Sequence, residues 1–361
     1  RNNLAGAYRE AGRLDKAITQ YEQTLKDRTR ILGPHHPDTL TSRNHLAGAY
    51  REAGKLDEAI TQYEQTLKDR TRILGPHHPH TLTSHHNLAG AYQAAGRLDE
   101  AITQYEQTLK DSTRILGTHH PHTLTTQDNL AVTYRTAGRL DEAIPLLEQT
   151  LKDSIRILGP HHPHTLTTRN HLAGAYWHAG RLDEAITQYE QNLTDHTRIL
   201  GPHHPHTLTT RNHLAGAYWH AGRLDEAITQ YEQNLTDHTR ILGPHHPHTL
   251  TTRNHLAGAY WHAGRLDEAI TQYEQNLTDH TRILGPHHPD TLTTQDNLAV
   301  TYRTAGRLDE AIPLLEQTLK DRTGILGPHH TDTLTTQANL AIAYRTAGRL
   351  DEAIPLLEQT L

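Results

Sequence analysis

A strict 42-residue period governs this chain. Leu4, Leu46, Leu88, Leu130, Leu172, Leu214, Leu256, Leu298 and Leu340 recur at that interval without a slip, as do Tyr8, Tyr50, Tyr92 and their equivalents to Tyr344. Self-similarity of this kind marks a chain built by stacking one supersecondary unit rather than by closing a single core. Eight full periods occupy 336 of the 361 residues, and the last 25 begin a ninth. No insertion breaks the register, so residues 1–361 read as one linear stack without an internal boundary. The chain has no Met and its first repeat opens inside a helix, which reads as a fragment of a longer protein. Two uncapped ends predict end-to-end self-association, because repeat arrays normally need polar terminal caps.

One repeat is legible from Asp38 to Pro79. Pro37 precedes Asp38 and Thr39, side chains that cap helices. Leu40, Arg43, Ala47 and Tyr50 then recur at helical spacing as far as Ala53. This is helix A. Gly54 stops it and Asp57 offers the next cap. Helix B carries Ala59, Ile60, Tyr63, Leu67 and Leu74 on one stripe until Gly75-Pro76 ends it. Nothing alternates as a strand does, so the expected fold class is all-α, a solenoid of helical hairpins. The five Leu and two Ile of this repeat cannot close a core alone, so neighbouring hairpins must stack. Ala47, Gly48, Ala49 and Ala59 allow close helix approach, and the tyrosines supply core bulk in a chain without Phe.

Several functions are disfavoured by what the chain contains. Without Cys there is no disulfide framework, thiolate metal site or thiol nucleophile. No apolar run is long enough to cross a bilayer and no signal peptide is evident, so no membrane role and a cytoplasmic location are expected. The net charge of -6 gives no support to nucleic-acid binding. Gly54-Lys55 is followed by Leu56, which breaks the phosphate-loop pattern, and the four Ser residues fit no nucleophile elbow. Acidic pairs such as Asp57-Glu58 fall in the first turn of helix B, where they suit the helix dipole. Asn192, Asn234 and Asn276 head Asn-Leu-Thr matches to the glycosylation pattern inside helix B and read as accidental. Neither an enzyme nor a bound cofactor is expected.

Asn87-Leu-Ala-Gly-Ala-Tyr92, followed by Gly96-Arg-Leu-Asp-Glu-Ala-Ile102, resembles the signature of tetratricopeptide repeats. The 42-residue period and the Leu-Gly-Pro-x-His-Pro loop are closer to the subclass found in kinesin light chain and in bacterial signalling NTPases of the STAND type. The resemblance covers the whole chain. It implies a right-handed superhelix with the A helices on its inner wall, a protein or peptide partner, and no chemistry of its own. Two departures stand out. His35, His77, His119 and their equivalents replace an acidic loop residue, and His80, His122, His164, His206 and His248 stand where Asp usually caps helix A.

In the family register, counting Leu40 as position one, positions two, five, nine, twelve and thirteen face the groove. Repeats five to seven then present Asn170, Trp177 and His178, Asn212, Trp219 and His220, and Asn254, Trp261 and His262. Other repeats hold Arg or Gln at the Trp position, which a core slot would not accept. These residues are the expected peptide groove, with Trp as anchors and Asn holding the ligand backbone. Position six carries Asn or His (Asn3, His45, Asn87, Asn129, His171 and onward), which the resemblance places on the ligand backbone as well. Imidazole suits Zn, Ni and Cu, so His77, His78, His80 and His203, His204, His206 are the weak metal candidates, although no third ligand type completes a set within a loop. Rival readings are a structural spacer and a metal- or pH-responsive loop module. For the latter, the helix dipole and His-His repulsion would depress the pKa of His80, His122, His164, His206 and His248 and weaken the fold in acid.

Overall fold

The computed structural model describes residues 2–358, and among them lie eighteen α-helices. The A helices are α1 (Asn2–Glu10), α3 (Pro37–Glu52), α5 (Pro79–Ala94), α7 (Pro121–Thr136), α9 (Pro163–His178), α11 (Pro205–His220), α13 (Pro247–His262), α15 (Pro289–Thr304) and α17 (Thr331–Thr346). The B helices are α2 (Leu14–Leu32), α4 (Leu56–Leu74), α6 (Leu98–Leu116), α8 (Leu140–Leu158), α10 (Leu182–Leu200), α12 (Leu224–Leu242), α14 (Leu266–Leu284), α16 (Leu308–Leu326) and α18 (Leu350–Glu358). The expected all-α class and the hairpin repeat are what the structure has. The chain forms two compact units, one ending at Gln188 and the other beginning at Tyr189, inside α10.

Helix A starts differently from the sequence reading. The second His of each loop pair is the N-cap, not the residue after proline. His36 Nδ1 accepts from the Asp38 N–H at 3.2 Å, and His78, His120, His162, His204, His246, His288 and His330 do the same. In all but α17, which has Thr331 there, proline takes the first helical position, where its missing N–H leaves nothing unsatisfied. Asp38 and the histidines from His80 to His248 therefore supply the capped N–H rather than the cap. Asp57 is likewise no cap: Lys55 occupies that place without a side-chain bond, and Asp57 falls in the first turn of α4. Gly54 links the helices at φ +74°, a conformation that costs glycine little, and the Lys55 N–H closes the turn on Tyr50 O at 2.9 Å.

Each core is shared between repeats. Ala47 of α3 and Ala59, Ile60 and Tyr63 of α4 pack with Leu88, Ala91 and Tyr92 of α5. The alanines are fully buried, which permits the close helix approach expected from their size. The position-eleven tyrosines do more than fill space. Tyr92 donates its hydroxyl to Glu64 of the preceding B helix at 2.7 Å, while Arg97 lies over its ring at 4.5 Å. Tyr134, Tyr260 and Tyr302 repeat the tether on Glu106, Glu232 and Glu274. Asn234 is fully buried and donates to Leu208 O at 3.1 Å, a packing role that accounts for one of the glycosylation-like motifs.

Candidate groove wall and inter-repeat pockets

The position-twelve side chains are half-buried along most of the array, whether Arg, Gln or Trp. Arg9, Arg51, Trp219 and Trp261 lean onto the A helix of the next repeat. In the first compact unit Arg9 pairs with Glu52 at 2.7 Å and approaches Gly48, and Trp177 is half-buried at the same register. In the second, Trp219 lies so close over Gly258 that a Cβ there would stand 2.8 Å from its Cη2. Its ring meets His262 edge-on at 5.2 Å. Trp261 sits 4.7 Å from His262 in the same manner, and its Nε1 donates to Thr304 Oγ1 at 3.3 Å. His178, His220 and His262 are exposed. In the second unit the wall thus carries half-exposed indoles braced by the following repeat.

The asparagines are arranged differently from the sequence expectation. Asn212 and Asn254 are half-buried, and their Oδ1 atoms are fully buried without a partner, as is that of Asn170. In the first unit, three position-six residues also contact the preceding repeat. Asn87 donates to Asn44 at 3.1 Å, Asn129 contacts His86 at 3.1 Å, and His171 contacts Asp128 at 2.7 Å. Each bond spans 43 residues, one period plus one, so a single repeat gives no sign of it.

The loop histidines have structural partners. Besides the caps, the first His of a pair faces the Asp and Arg of the B helix that follows. His77 lies 3.7 Å from Asp111 and 2.8 Å from Arg114, and His203 lies 3.2 Å from Asp237 and 2.6 Å from Arg240. The His80 ring packs on His78 at 5.3 Å and the His206 ring on His204 at 5.2 Å. Among the described residues, no three His, Asp or Glu side chains are arranged to hold a metal ion. The imidazoles of His80, His122 and His164 lie below their usual range, chiefly through burial, with the charge of the neighbouring loop His adding to it. Burial, rather than the helix dipole, is the main cause.

Sequence reasoning missed a pocket at the junctions between repeats. One position of helix B takes three residue types along the array: Arg28, Arg70, Ser112, Ser154, His196, His238, His280 and Arg322. Where it is Arg, the junction is filled: Arg70 donates to His80 O at 3.1 Å and Ser84 Oγ at 2.8 Å. Where it is His238, whose Nδ1 meets Thr252 Oγ1 at 3.0 Å, a cavity of about 420 Å³ opens between α11 and α13. His203, Asn212, His246 and His248 line it together with Leu208 and Ile241. Burial pushes the His238 imidazole down, and His248 and His246 add to the shift. The next junction, with His280 and Asp290, keeps a smaller cavity of about 190 Å³. The signal available in the sequence was that this position alternates among Arg, Ser and His, three side chains of very different size and charge.

The tetratricopeptide-repeat profile matches in eight overlapping segments, from residues 1–72 and 44–112 through 249–323 and 304–361. Nearly identical TPR-like repeats of a kinesin-light-chain candidate from Podosopora anserina share 34% identity over 57% of this chain and 97% of that one, with a TM-score of 0.51. A Signal Transduction ATPase with Numerous Domains from Pyrococcus horikoshii, with a tetratricopeptide repeat sensor, shares the fold at 13% identity and a TM-score of 0.64, over 96% of this chain and 52% of that one. The apo quorum sensor NprR of B. thuringiensis does so at 14% identity and a TM-score of 0.63, over 98% of both chains. No curated protein sequence matches. Repeats of this kind are in general non-catalytic scaffolds for protein interactions. The chain belongs to the tetratricopeptide-repeat family.

Proposed function

We propose that the chain is a docking array for a protein or extended-peptide partner, the partner-binding or sensor region of a larger intracellular protein. The recognition surface is the wall built from Trp219, Trp261 and His262, with Asn212 and Asn254 behind it, and Trp177 in the same register of the first compact unit. One observation carries this reading: repeats six and seven place Trp where sister repeats place Arg or Gln, and the indoles stay half-exposed. The stack does not need an aromatic there, whereas a desolvated aromatic anchor is what binding surfaces use.

Peptides selected against the full chain from a random extended-peptide library provide the test. Against selected peptides, Trp219→Ala with Trp261→Ala should weaken binding by about thirtyfold or more, a loss of roughly 2 kcal/mol. Far-ultraviolet circular dichroism should keep its helical amplitude. Selected peptides that bind the double variant as tightly as the wild type would leave the indoles as packing residues, and a selection that yields no binder would leave the array as a spacer.

A further inference from the structure

The fourth and eighth repeats are nearly one sequence. Helices α7 and α15 differ only at His122 against Asp290. Helices α8 and α16 differ at three places, Ser154, Ile155 and Arg156 against Arg322, Thr323 and Gly324. Both repeats send an aspartate into the following junction, and both carboxylates are buried, Asp128 being 3% and Asp296 6% exposed. In the eighth repeat Arg322 answers that charge. Its Nη1 lies 2.6 Å from Asp296 Oδ2 and donates to Asp332 O at 2.8 Å and Thr336 Oγ1 at 2.9 Å.

In the fourth repeat Ser154 stands at the place of Arg322, and the guanidinium is missing. His171 Nδ1 reaches Asp128 Oδ2 at 2.7 Å. The other carboxylate oxygen, Asp128 Oδ1, is buried without a partner, as is Asp296 Oδ1 in the eighth repeat; what sets the fourth apart is that Ser154 Oγ, Thr168 Oγ1 and His164 Nε2 are buried without partners too. Other junctions of the same compact unit show that these positions converge. Arg70, in the register of Ser154, bonds His80 O and Ser84 Oγ, the places of His164 and Thr168. Thr126 Oγ1 lies 3.3 Å from His86 Nδ1, which joins the places of Thr168 and Asp128. The niche thus gathers a carboxylate oxygen, two hydroxyls and an imidazole nitrogen where sister repeats seat a guanidinium.

We propose that the junction between the fourth and fifth repeats binds a guanidinium group supplied from outside the chain, seated as Arg322 seats its own. A guanidinium offers N–H donors in a planar fork, which suits a carboxylate oxygen with hydroxyls and a carbonyl around it. Burial keeps the His164 imidazole below its usual range, against the pull of Asp128, so its Nε2 adds a neutral acceptor. A metal ion fits less well, since no three carboxylate or imidazole groups among the described residues are arranged for one. In the same register, the junction at His238 has room for a cavity. The chain's net charge of -6 favours a cation.

The experiment titrates the full chain with methylguanidinium chloride at constant chloride, read by calorimetry and by melting. Saturable one-to-one binding is expected, with a rise in melting temperature of about 2–4 °C at tenfold saturation. Asp128→Asn should weaken binding at least tenfold, and it has a precedent in the register, since Asn44 stands there in the second repeat. Ser154→Arg should abolish binding and raise the melting temperature without ligand, because the guanidinium then comes from the chain itself. No saturable heat, equal binding by Asp128→Asn, equal affinity for methylammonium, or a Ser154→Arg variant that melts below the wild type would each overturn the proposal. The tripeptide Gly-Arg-Gly separates the two sources of the group. Binding comparable to methylguanidinium means an arginine of a partner, and binding of methylguanidinium alone means a free small cation.

Discussion

The junctions after the third and eighth repeats occupy the same place in the fold and are filled with opposite chemistry. After the eighth, a buried guanidinium and a buried carboxylate neutralise each other, with Thr336 donating to the same Asp296 oxygen at 2.8 Å. After the third, the residue in the register of Asp296 is His86 and the one in the register of Arg322 is Ser112. His86 is neutral there: Asn129 meets its Nε2 at 3.1 Å, Thr126 Oγ1 lies 3.3 Å from its Nδ1, and its ring stands edge-on to Tyr105 at 5.4 Å. The backbone is indifferent to the choice. In these two junctions buried charge is either cancelled or absent, so their facing positions are constrained in pairs and not singly.

The first way to break this comparison is to remove one side of the charged pair. Arg322→Ala leaves Asp296 buried without a cation and should destabilise the array by about 3–5 kcal/mol. Burial already holds the Asp296 carboxyl above its usual range, against the pull of Arg322. Without the arginine it should take up a proton closer to neutrality. Adding Asp296→Asn to Arg322→Ala should restore more than half of the loss. Denaturant midpoints measure this, and amide exchange should localise the loss to α16 and α17, because stability in a repeat array is a sum of nearest-neighbour terms. A loss spread evenly over all repeats, or no recovery in the double variant, would mean the pair is not a local device.

Acid breaks the neutral junction instead. Burial, followed by the neighbouring His122 and Arg51 charges, takes the His86 imidazole from 6.5 down to about 4. A base whose folded pKa lies below its unfolded one contributes its full stability above pH 6.5 and loses it as pH falls towards 4. At pH 5 the loss from His86 alone comes to about 2 kcal/mol. His86→Asn, which copies Asn44 in the second repeat, should therefore hold stability between pH 7 and 5 better than the wild type by about that amount. Equal pH slopes for the two proteins would show that His86 is not what acid attacks.

The architecture was legible because it depends on features that repeat. Period, hairpin and turns follow from Leu and Tyr spacing, from glycines that must adopt positive φ, and from prolines that open helices. The cap was misread because Asp38 belongs to the residue types that cap helices and His does not, yet Pro37 already fills the first helical position. The solvent-facing register of Trp219 was legible from the Arg and Gln that replace it elsewhere. Its seat over Gly258 was not, since that contact joins residues 39 apart in sequence and depends on how one repeat leans on the next. Position six resembled a ligand-binding asparagine, and its actual bonds run sideways to the previous repeat. The junction pockets could be found only by comparing repeats at a position where they differ.

The smallest expected effect concerns the caps, and it decides whether the histidine pairs belong to function or to folding. His203 and His204 are adjacent, but they have different partners. His203 bridges Asp237 and Arg240 near the surface, with its side chain 47% exposed, and an exposed ion pair of that kind contributes little. His204 satisfies a backbone N–H at the start of α11 through Nδ1, at 3.2 Å from His206 N. An imidazolium cannot accept that bond, whereas an asparagine oxygen can. His204→Ala should therefore cost about 1 kcal/mol and His204→Asn only a few tenths. His203→Ala should lie within about 0.5 kcal/mol of the wild type. Denaturant midpoints at pH 7.5 resolve the three variants. If His203→Ala proved the costlier change, the first histidine would carry the junction and the second would be free for a ligand, the reverse of the assignment made from the geometry.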